Sequence, residues 1–389
     1  MENSIYFDNA ATSFPKAPGL GKAVGEFIEK DLVNVNRGVY KLSHKTEEMV
    51  LSTRIKIAKF FGCENDDDFV RNVIFTSGIT MSLNMFLRGT LNTNDHIICS
   101  PFEHHAVLRT LYELKDTKKI SFSIAKADEK GYVDIDSIEE LINDKTKAII
   151  INHGSNVFGT INDIEKIGKI AKEHDLFFAV DTAQTAGKIN ISMKDCNIDF
   201  LAFSGHKGLM ALEGIGGFII SDRLSKVMRP LITGGTGSES DKCVQPDYLP
   251  DKYESGTLNL PGIFSLSYSI DYINKETIEK IRTYEMSLRR KFIENLNCRD
   301  DIIIYCKENK EKYMLPIVSL SFINKDNGEI TRVLEEDYGI MLREGFHCSM
   351  LSHVTMKTEN TGTIRFSFGY FNKVEEVEIT TNIISNIEL

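Results

Sequence analysis

The residues best placed to do chemistry in this chain sit where two apolar runs end. The run 198–203 passes directly into Ser204, Gly205, His206 and Lys207, crowding three polar side chains onto one turn. Upstream, the run 176–180 ends the same way, in Asp181, Thr182, Ala183 and Gln184. Ligands of open α/β sheets bind at strand ends, so the two turns are expected to face one pocket. A lysine next to a histidine and between glycines is poorly suited to plain solvation. Burial and a nearby cation would depress its pKa and make it a usable nucleophile and base. An acid and such a lysine aimed at one ligand are what pyridoxal phosphate (PLP) chemistry needs: the lysine forms a Schiff base and the acid pairs with the protonated pyridine nitrogen. Asp181 alone serves equally well as a helix N-cap. With Gln184 it can hold the ring nitrogen and phenolic oxygen of a pyridoxal.

Other polar groups fall at similar places. A phosphate needs backbone N–H groups, hydroxyls and a helix N-terminus. The stretch from Phe75 to Thr80 offers a strand end, a glycine and the start of an amphipathic segment. The amides of Gly78 and Ile79 and the hydroxyl of Thr80 can cradle a phosphate, or the stretch can be an ordinary cap. Ser204 and His206 can add two donors. The neighbours His104 and His105 point in different directions, and no Cys or Asp completes a metal set, so no metal is expected. His104 reads as an imidazole stacked on a cofactor ring and able to exchange a proton, or as a cap. Asn156 follows the run 148–151 and reaches the same sheet edge, as a turn residue or as a donor to the cofactor's 3′-oxygen.

Further on, Cys348 has His347 beside it, Arg343 nearby and Gly345 loosening the backbone. Cationic neighbours lower a thiol pKa from about 8.5 and favour the thiolate. The remaining cysteines read as structural, with Cys243, in a polar loop, kept open. Arg365 lies within an apolar stretch and needs a partner for its buried charge. That partner is a substrate α-carboxylate held by a bidentate fork, or a structural Asp or Glu.

Elements must bring these groups together. Seven short apolar runs, at 73–76, 96–99, 120–124, 148–151, 177–180, 200–203 and 217–220, alternate with segments of helical periodicity such as Ile164, Ile167, Ile170 and Ala171. The alternation predicts an α/β fold with a mostly parallel seven-stranded sheet covered on both faces. After a turn-rich stretch, 230–262, a long helical segment spans about 264–296. Strands near 302–305, 317–322 and 363–368, with helices near 331–338 and at the C-terminus, predict a smaller α+β domain. We expect a large domain over 15–256 and a small one built from 1–14 and 257–389.

Composition narrows the class. A chain of 389 residues is long enough for two domains. A net charge of -10 argues against nucleic acid or an acidic membrane as partner. No apolar run approaches the ~20 residues of a membrane span, and the N-terminal residues lack a basic-then-apolar leader. Seven cysteines, an odd number without CxxC spacing, fit reduced thiols in a cytoplasmic protein. The absence of a GxGxxG or GKS/T loop speaks against nucleotide binding.

Taken in order, these motifs resemble the cysteine desulfurases, a branch of the class V aminotransferase-like, fold type I PLP-dependent transferases. The resemblance runs from Tyr6-Phe-Asp-Asn-Ala-Ala-Thr through Asn36-Arg-Gly, residues 77–80, Glu103-His-His, Asn156, 181–184 and 204–207. It continues into Ser255-Gly-Thr257, 343–348 and Arg365. The Arg-x-Gly-x-His-Cys form is similar to the branch with a short catalytic-cysteine loop. The resemblance implies a homodimer with active sites at the subunit interface. Lys207 would be the Schiff-base lysine and the acid/base, and His104 would stack on the ring. Asp181 and Gln184 would hold ring nitrogen and phenolate, with Asn156 close to ring and substrate. Gly78, Ile79, Thr80, Ser204 and His206 would bind phosphate, joined by Thr257 from the second subunit. Arg365, with Asn156 and Ala10, would bind substrate, and Cys348 would take the sulfur.

The implied reaction converts L-cysteine to L-alanine, leaves a persulfide on Cys348 and passes the sulfur to an acceptor protein. Selenocysteine lyase and cysteine-sulfinate desulfinase are same-fold alternatives. A class V aminotransferase is a weaker one, since it would not need Cys348. A sulfur carrier without turnover is opposed by the complete set of Lys207, Asp181, His104, Arg365 and Cys348. Two departures stand out. The turn after Lys207 reads Gly-Leu-Met-Ala-Leu-Glu-Gly and is expected to reshape the entrance to the site. Phe346 stands where close relatives often have a second His, a change expected to alter proton delivery to sulfur or the choice of acceptor.

Overall fold

The computed structural model describes residues 4–35, 38–63 and 67–387; the Asn36-Arg37 part of the resemblance lies outside them. The strands are β1 (Ile5–Tyr6), β2 (Val73–Thr76), β3 (His96–Cys99), β4 (Ser121–Ile124), β5 (Thr146–Asn152), β6 (Phe177–Asp181), β7 (Phe200–Ser204) and β8 (Gly216–Ile220). They continue with β9 (Ile302–Ile304), β10 (Ile317–Phe322), β11 (Ile340–Met341), β12 (Arg343–Gly345) and β13 (Thr363–Ser367). The helices of the first half are α1 (Leu20–Lys30), α2 (Lys41–Phe60), α3 (Ile79–Thr90), α4 (His105–Thr117), α5 (Ile135–Glu140), α6 (Ile164–Glu173) and α7 (Asp222–Ser225). Those of the second half are α8 (Leu260–Glu276), α9 (Ile278–Leu296), α10 (Asn327–Glu336), α11 (Met350–Thr355) and α12 (Val374–Asn386).

All seven predicted apolar runs enter one seven-stranded sheet, ordered β2-β8-β7-β6-β5-β3-β4. β8 runs antiparallel to both its neighbours, and the other pairings are parallel. These strands are almost continuously apolar because the sheet is covered on both faces. One face packs on the helices around Val24, Ile57, Ile167 and Ile263. The other packs on Leu83, Phe86, Val107 and Leu111 of α3 and α4. The parallel arrangement puts the C-terminal ends of β2, β3, β5, β6 and β7 on one edge.

A second, antiparallel sheet, β12-β13-β10-β9, has its own core of Leu288, Phe292, Val318, Ile364 and Phe366. Segment 4–14 joins this half: β1 pairs in parallel with β11, and Asp8 bridges to Ser367 beside β13.

Three expectations need correction. The helical segment 264–296 is two helices, with Thr277 closing α8 at φ 69° and capping α9 through the Lys280 amide. No glycine or proline marks that break, so periodicity ran through it. Its start is also earlier, where Asn259 caps the Gly262 amide and Pro261 fills the first turn. The helix placed at 331–338 begins at Asn327, behind an Asp326 cap.

Candidate active site

The sheet edge holds a cleft of about 240 Å³, lined among others by Ala10, Ile79, Thr80, His104, Asn152, Asn156, Asp181, Gln184, His206, Lys207, Arg343, Cys348 and Arg365. Most of the residues singled out from sequence therefore meet in one place. Lys207 follows the end of β7; its carbonyl accepts the Met210 amide at 2.8 Å, while its amine makes no hydrogen bond or ion pair among the described residues. Burial pulls its pKa down to about 8, against the attraction of Asp181, with Arg365 and Arg343 pushing the same way as burial. Asp181 closes β6, in register with Asn152 of β5, and accepts the Ala183 amide at 2.8 Å. Burial raises its pKa, against the Ala183 amide and Lys207, and a cation beside it would favour the carboxylate. A protonated pyridine nitrogen is such a cation.

His104 caps α4, its Nδ1 accepting the Ala106 amide at 3.0 Å, and its ring lines the cleft. Burial first, then Lys207, lowers its pKa to about 4, so the imidazole is neutral. Gln184 donates to the Ala10 carbonyl at 2.9 Å. At the turn into α3, the Gly78 amide is already engaged by the Thr76 hydroxyl at 3.3 Å, which leaves the Ile79 and Thr80 amides at the start of α3. Gly78 has φ 149°, and a Cβ there would meet open space. The Ser204 hydroxyl is buried without a partner. His206 meets the Thr12 hydroxyl at 3.1 Å. Thr257 is exposed and does not line the cleft of its own chain.

The second half of the chain closes the mouth. Cys348 is exposed. Its loop is pinned at several points. The His105 amide donates to the Cys348 carbonyl at 2.9 Å. The buried Ser349 hydroxyl donates to the Glu103 carbonyl at 3.0 Å, and Asn156 Nδ2 donates to the His347 carbonyl at 2.7 Å. His347 and Cys348 both have positive φ, 49° and 58°, an unusual pair for side chains with a Cβ.

Three readings change here. His347 is not a cation beside the thiol: its ring is buried, Nε2 donates to the Thr363 carbonyl at 3.0 Å, and burial with Arg365 nearby holds it neutral. The charge at the mouth belongs to Arg343, which sits opposite Arg365 across the β12–β13 pair. The turn after Lys207 does not form the entrance, because Gly208, Leu209, Met210 and Ala211 are buried away from the cleft lining. Cys298, read as structural, is exposed. Phe346 is exposed and meets His353 edge-on at 5.4 Å.

Arg365 has a structural acid as partner. Nη2 donates to Asp8 Oδ1 at 2.5 Å and Nη1 to the Asn156 carbonyl at 2.9 Å, while Nε is buried with no acceptor. Sequence reasoning missed Asp8, although a buried arginine required some acid. It also passed over Asn152 and Glu103. Glu103 is fully buried, accepts from Ser100 Oγ and the Asn152 amide, and is pushed up to about 8 chiefly by burial. The signal for Glu103 was a charged residue between an apolar strand and His104.

A family model described as Aminotransferase class-V matches residues 5–379. The chain is 33% identical over 391 residues to a probable cysteine desulfurase of Pyrococcus abyssi, covering 98% of this chain and 94% of that one. The apo structure of a cysteine desulfurase from Thermococcus onnurineus NA1 is similar with a TM-score of 0.89 and 30% identity, covering 98% of this chain and 94% of that one. The Escherichia coli cysteine desulfurase CsdA has a TM-score of 0.86 at 25% identity, with coverage of 98% and 94%.

Proposed function

Because the chain belongs to the class V aminotransferase family, and within it to the cysteine desulfurases, we propose that it converts L-cysteine to L-alanine with PLP and carries the sulfur on Cys348. The observation that carries this reading is the placement of an exposed thiol in the same cleft as the partnerless Lys207. The residues fit the cofactor. Asp181 makes no ion pair among the described residues, the amides of Ile79 and Thr80 and the Ser204 hydroxyl suit a phosphate, and the His104 ring is neutral and free to stack. When bound, PLP supplies a sink for the electrons released at the substrate Cα.

The chain's own groups do the rest. Lys207, whose amine is about half neutral at pH 8, would hold the cofactor and serve as the base and acid that moves the Cα proton. Arg365 holds the α-carboxylate through N–H groups beyond the ones bound by Asp8 and the Asn156 carbonyl. The Cys348 thiolate attacks the substrate sulfur: an S–S bond forms, the C–S bond breaks, and its electron pair stays on the carbon fragment, which is protonated to alanine. Releasing the persulfide sulfur as sulfide consumes a thiol reductant; otherwise it passes to an acceptor protein.

We further read the protein as a cytoplasmic homodimer, with Thr257 reaching the second subunit's phosphate site, and with a division into 15–256 and 1–14 plus 257–389. Purified protein is expected to be yellow and to form alanine from L-cysteine. Cys348→Ala should keep the colour and lose more than about 99% of alanine and sulfide formation, a barrier increase of about 2.7 kcal/mol or more. Full desulfuration by that variant would refute the persulfide step. Parallel assays with selenocysteine and cysteine sulfinate test the substrate choice.

A further inference from the structure

Arg365 lies in the middle of β13 at 2% exposure, and a buried guanidinium is tolerable only with its charge compensated. The compensation comes from far away in sequence. After β1 the chain runs alongside β13, where the Ser367 amide donates to the Phe7 carbonyl at 2.7 Å and the Ala10 amide to Ser367 Oγ at 2.9 Å. These bonds fix residues 7–10, so Asp8 is held against the guanidinium and not free to swing away. Tyr6 adds a further tie, its hydroxyl donating to the Asp8 carbonyl at 3.1 Å. Arg365 thus meets any ligand carboxylate with one carboxylate already bound, and with Nε as its buried, unpartnered donor.

We propose that Asp8 is a positioning residue that sets how tightly Arg365 grips the α-carboxylate, keeping the grip weak enough for the product to leave. The proposal rests on the desulfurase reading, in which substrate and product share that carboxylate. An interaction made equally with both lowers KM without raising kcat, and it slows release of alanine as much as it aids capture of cysteine. Asp8 lowers this shared affinity by sharing the guanidinium's charge, while aiming the fork. Its action is specific to the carboxylate, since it touches Arg365 and no group that handles the amine or the sulfur.

The test is Asp8→Asn in the holoenzyme, which keeps a hydrogen-bond acceptor and removes the charge. The KM for L-cysteine and the inhibition constant of L-alanine should fall together, by at least about fivefold (roughly 1 kcal/mol), with kcat unchanged or lower. The inhibition constant of cysteamine, which lacks the carboxylate, should stay within twofold. A raised or unchanged KM for cysteine, or an equal shift for cysteamine, overturns the proposal. If the variant is less stable, the thermal shift induced by L-alanine remains a readout, and it should be larger in the variant than in the parent; a smaller shift refutes the role of Asp8. A parent enzyme that makes no alanine from cysteine would sink the desulfurase reading alone, because the alanine-induced shift still reports on Asp8.

Discussion

At Lys207 two forces compete: burial favours the neutral amine, and Asp181 favours the ammonium. Burial wins, with Arg365 and Arg343 on its side, and the pKa falls to about 8. A neutral amine attacks an aldehyde and an ammonium does not, so on the proposed reading the balance decides how readily the protein takes up PLP. The rate at which cofactor-free protein recombines with PLP is therefore expected to rise with pH up to about 8 and then level off. A rate that keeps climbing to pH 10, as for a solvated lysine, would contradict the burial argument. The same contest was half legible in the sequence. Lys207 and Asp181 each end an apolar run, so their meeting followed from sheet topology. The neutral state of His347 was not legible, because it depends on burial and on Arg365, which only folding brings about, and it holds against the opposing hydrogen bond to Thr363.

At the scale of elements, the Lys207 turn and the Asp181 turn touch backbone to backbone. A Cβ on Gly208 would lie 2.3 Å from the Ala186 carbonyl, and one on Gly187, which also has positive φ (82°), would lie 2.3 Å from the Gly208 carbonyl. Two glycines let the loops that follow β6 and β7 approach closely enough for both side chains to serve one cleft. Gly208→Ala should separate them, costing about 1–3 kcal/mol of stability and lowering cofactor occupancy more than a comparable substitution elsewhere. Measured melting and cofactor absorbance decide this; an unchanged occupancy would remove the glycine contact from the account of the site. The large sheet was readable because its strands are buried on both faces and so nearly uniform in hydrophobicity. The elements that close the site were not: β1 and β11 have two residues each, and β12 is Arg-Glu-Gly. No periodicity can mark segments that short, and the β1–β11 pairing joins Ile5 to Ile340, far apart in the chain.

For the whole molecule, burial of neutral imidazoles has a collective effect. His104, His153, His206 and His353 each have a pKa lowered to about 4, with burial the largest cause. Unfolding returns them to about 6.5, so between pH 4 and 6.5 the unfolded chain binds more protons, and stability is lost as pH falls through that window. Glu103 works the other way. Its raised value of about 8 means the folded state keeps a proton that the unfolded state loses above pH 4.5, so its contribution shrinks as pH rises toward 8. His96, His105 and His347 are lowered too, and Asp181 and Glu285 are raised like Glu103. With the lowered histidines outnumbering the raised carboxyls, the urea midpoint should drop steadily from pH 6.5 to 5 and decline only gently from 6.5 to 8. A midpoint that holds or rises on acidification to pH 5 would rule out this balance. The ion pair between Asp8 and Arg365, 357 positions apart, imposes an order on biosynthesis as well. A ribosome exposes Asp8 and then the whole seven-stranded sheet, with its lysine, long before it makes the arginine. A nascent chain halted in between has Asp8 and Lys207 but neither Arg343 nor Arg365, two of the groups that lower the lysine's pKa, so the last stretch of message completes both the carboxylate's partner and the electrostatics of the amine.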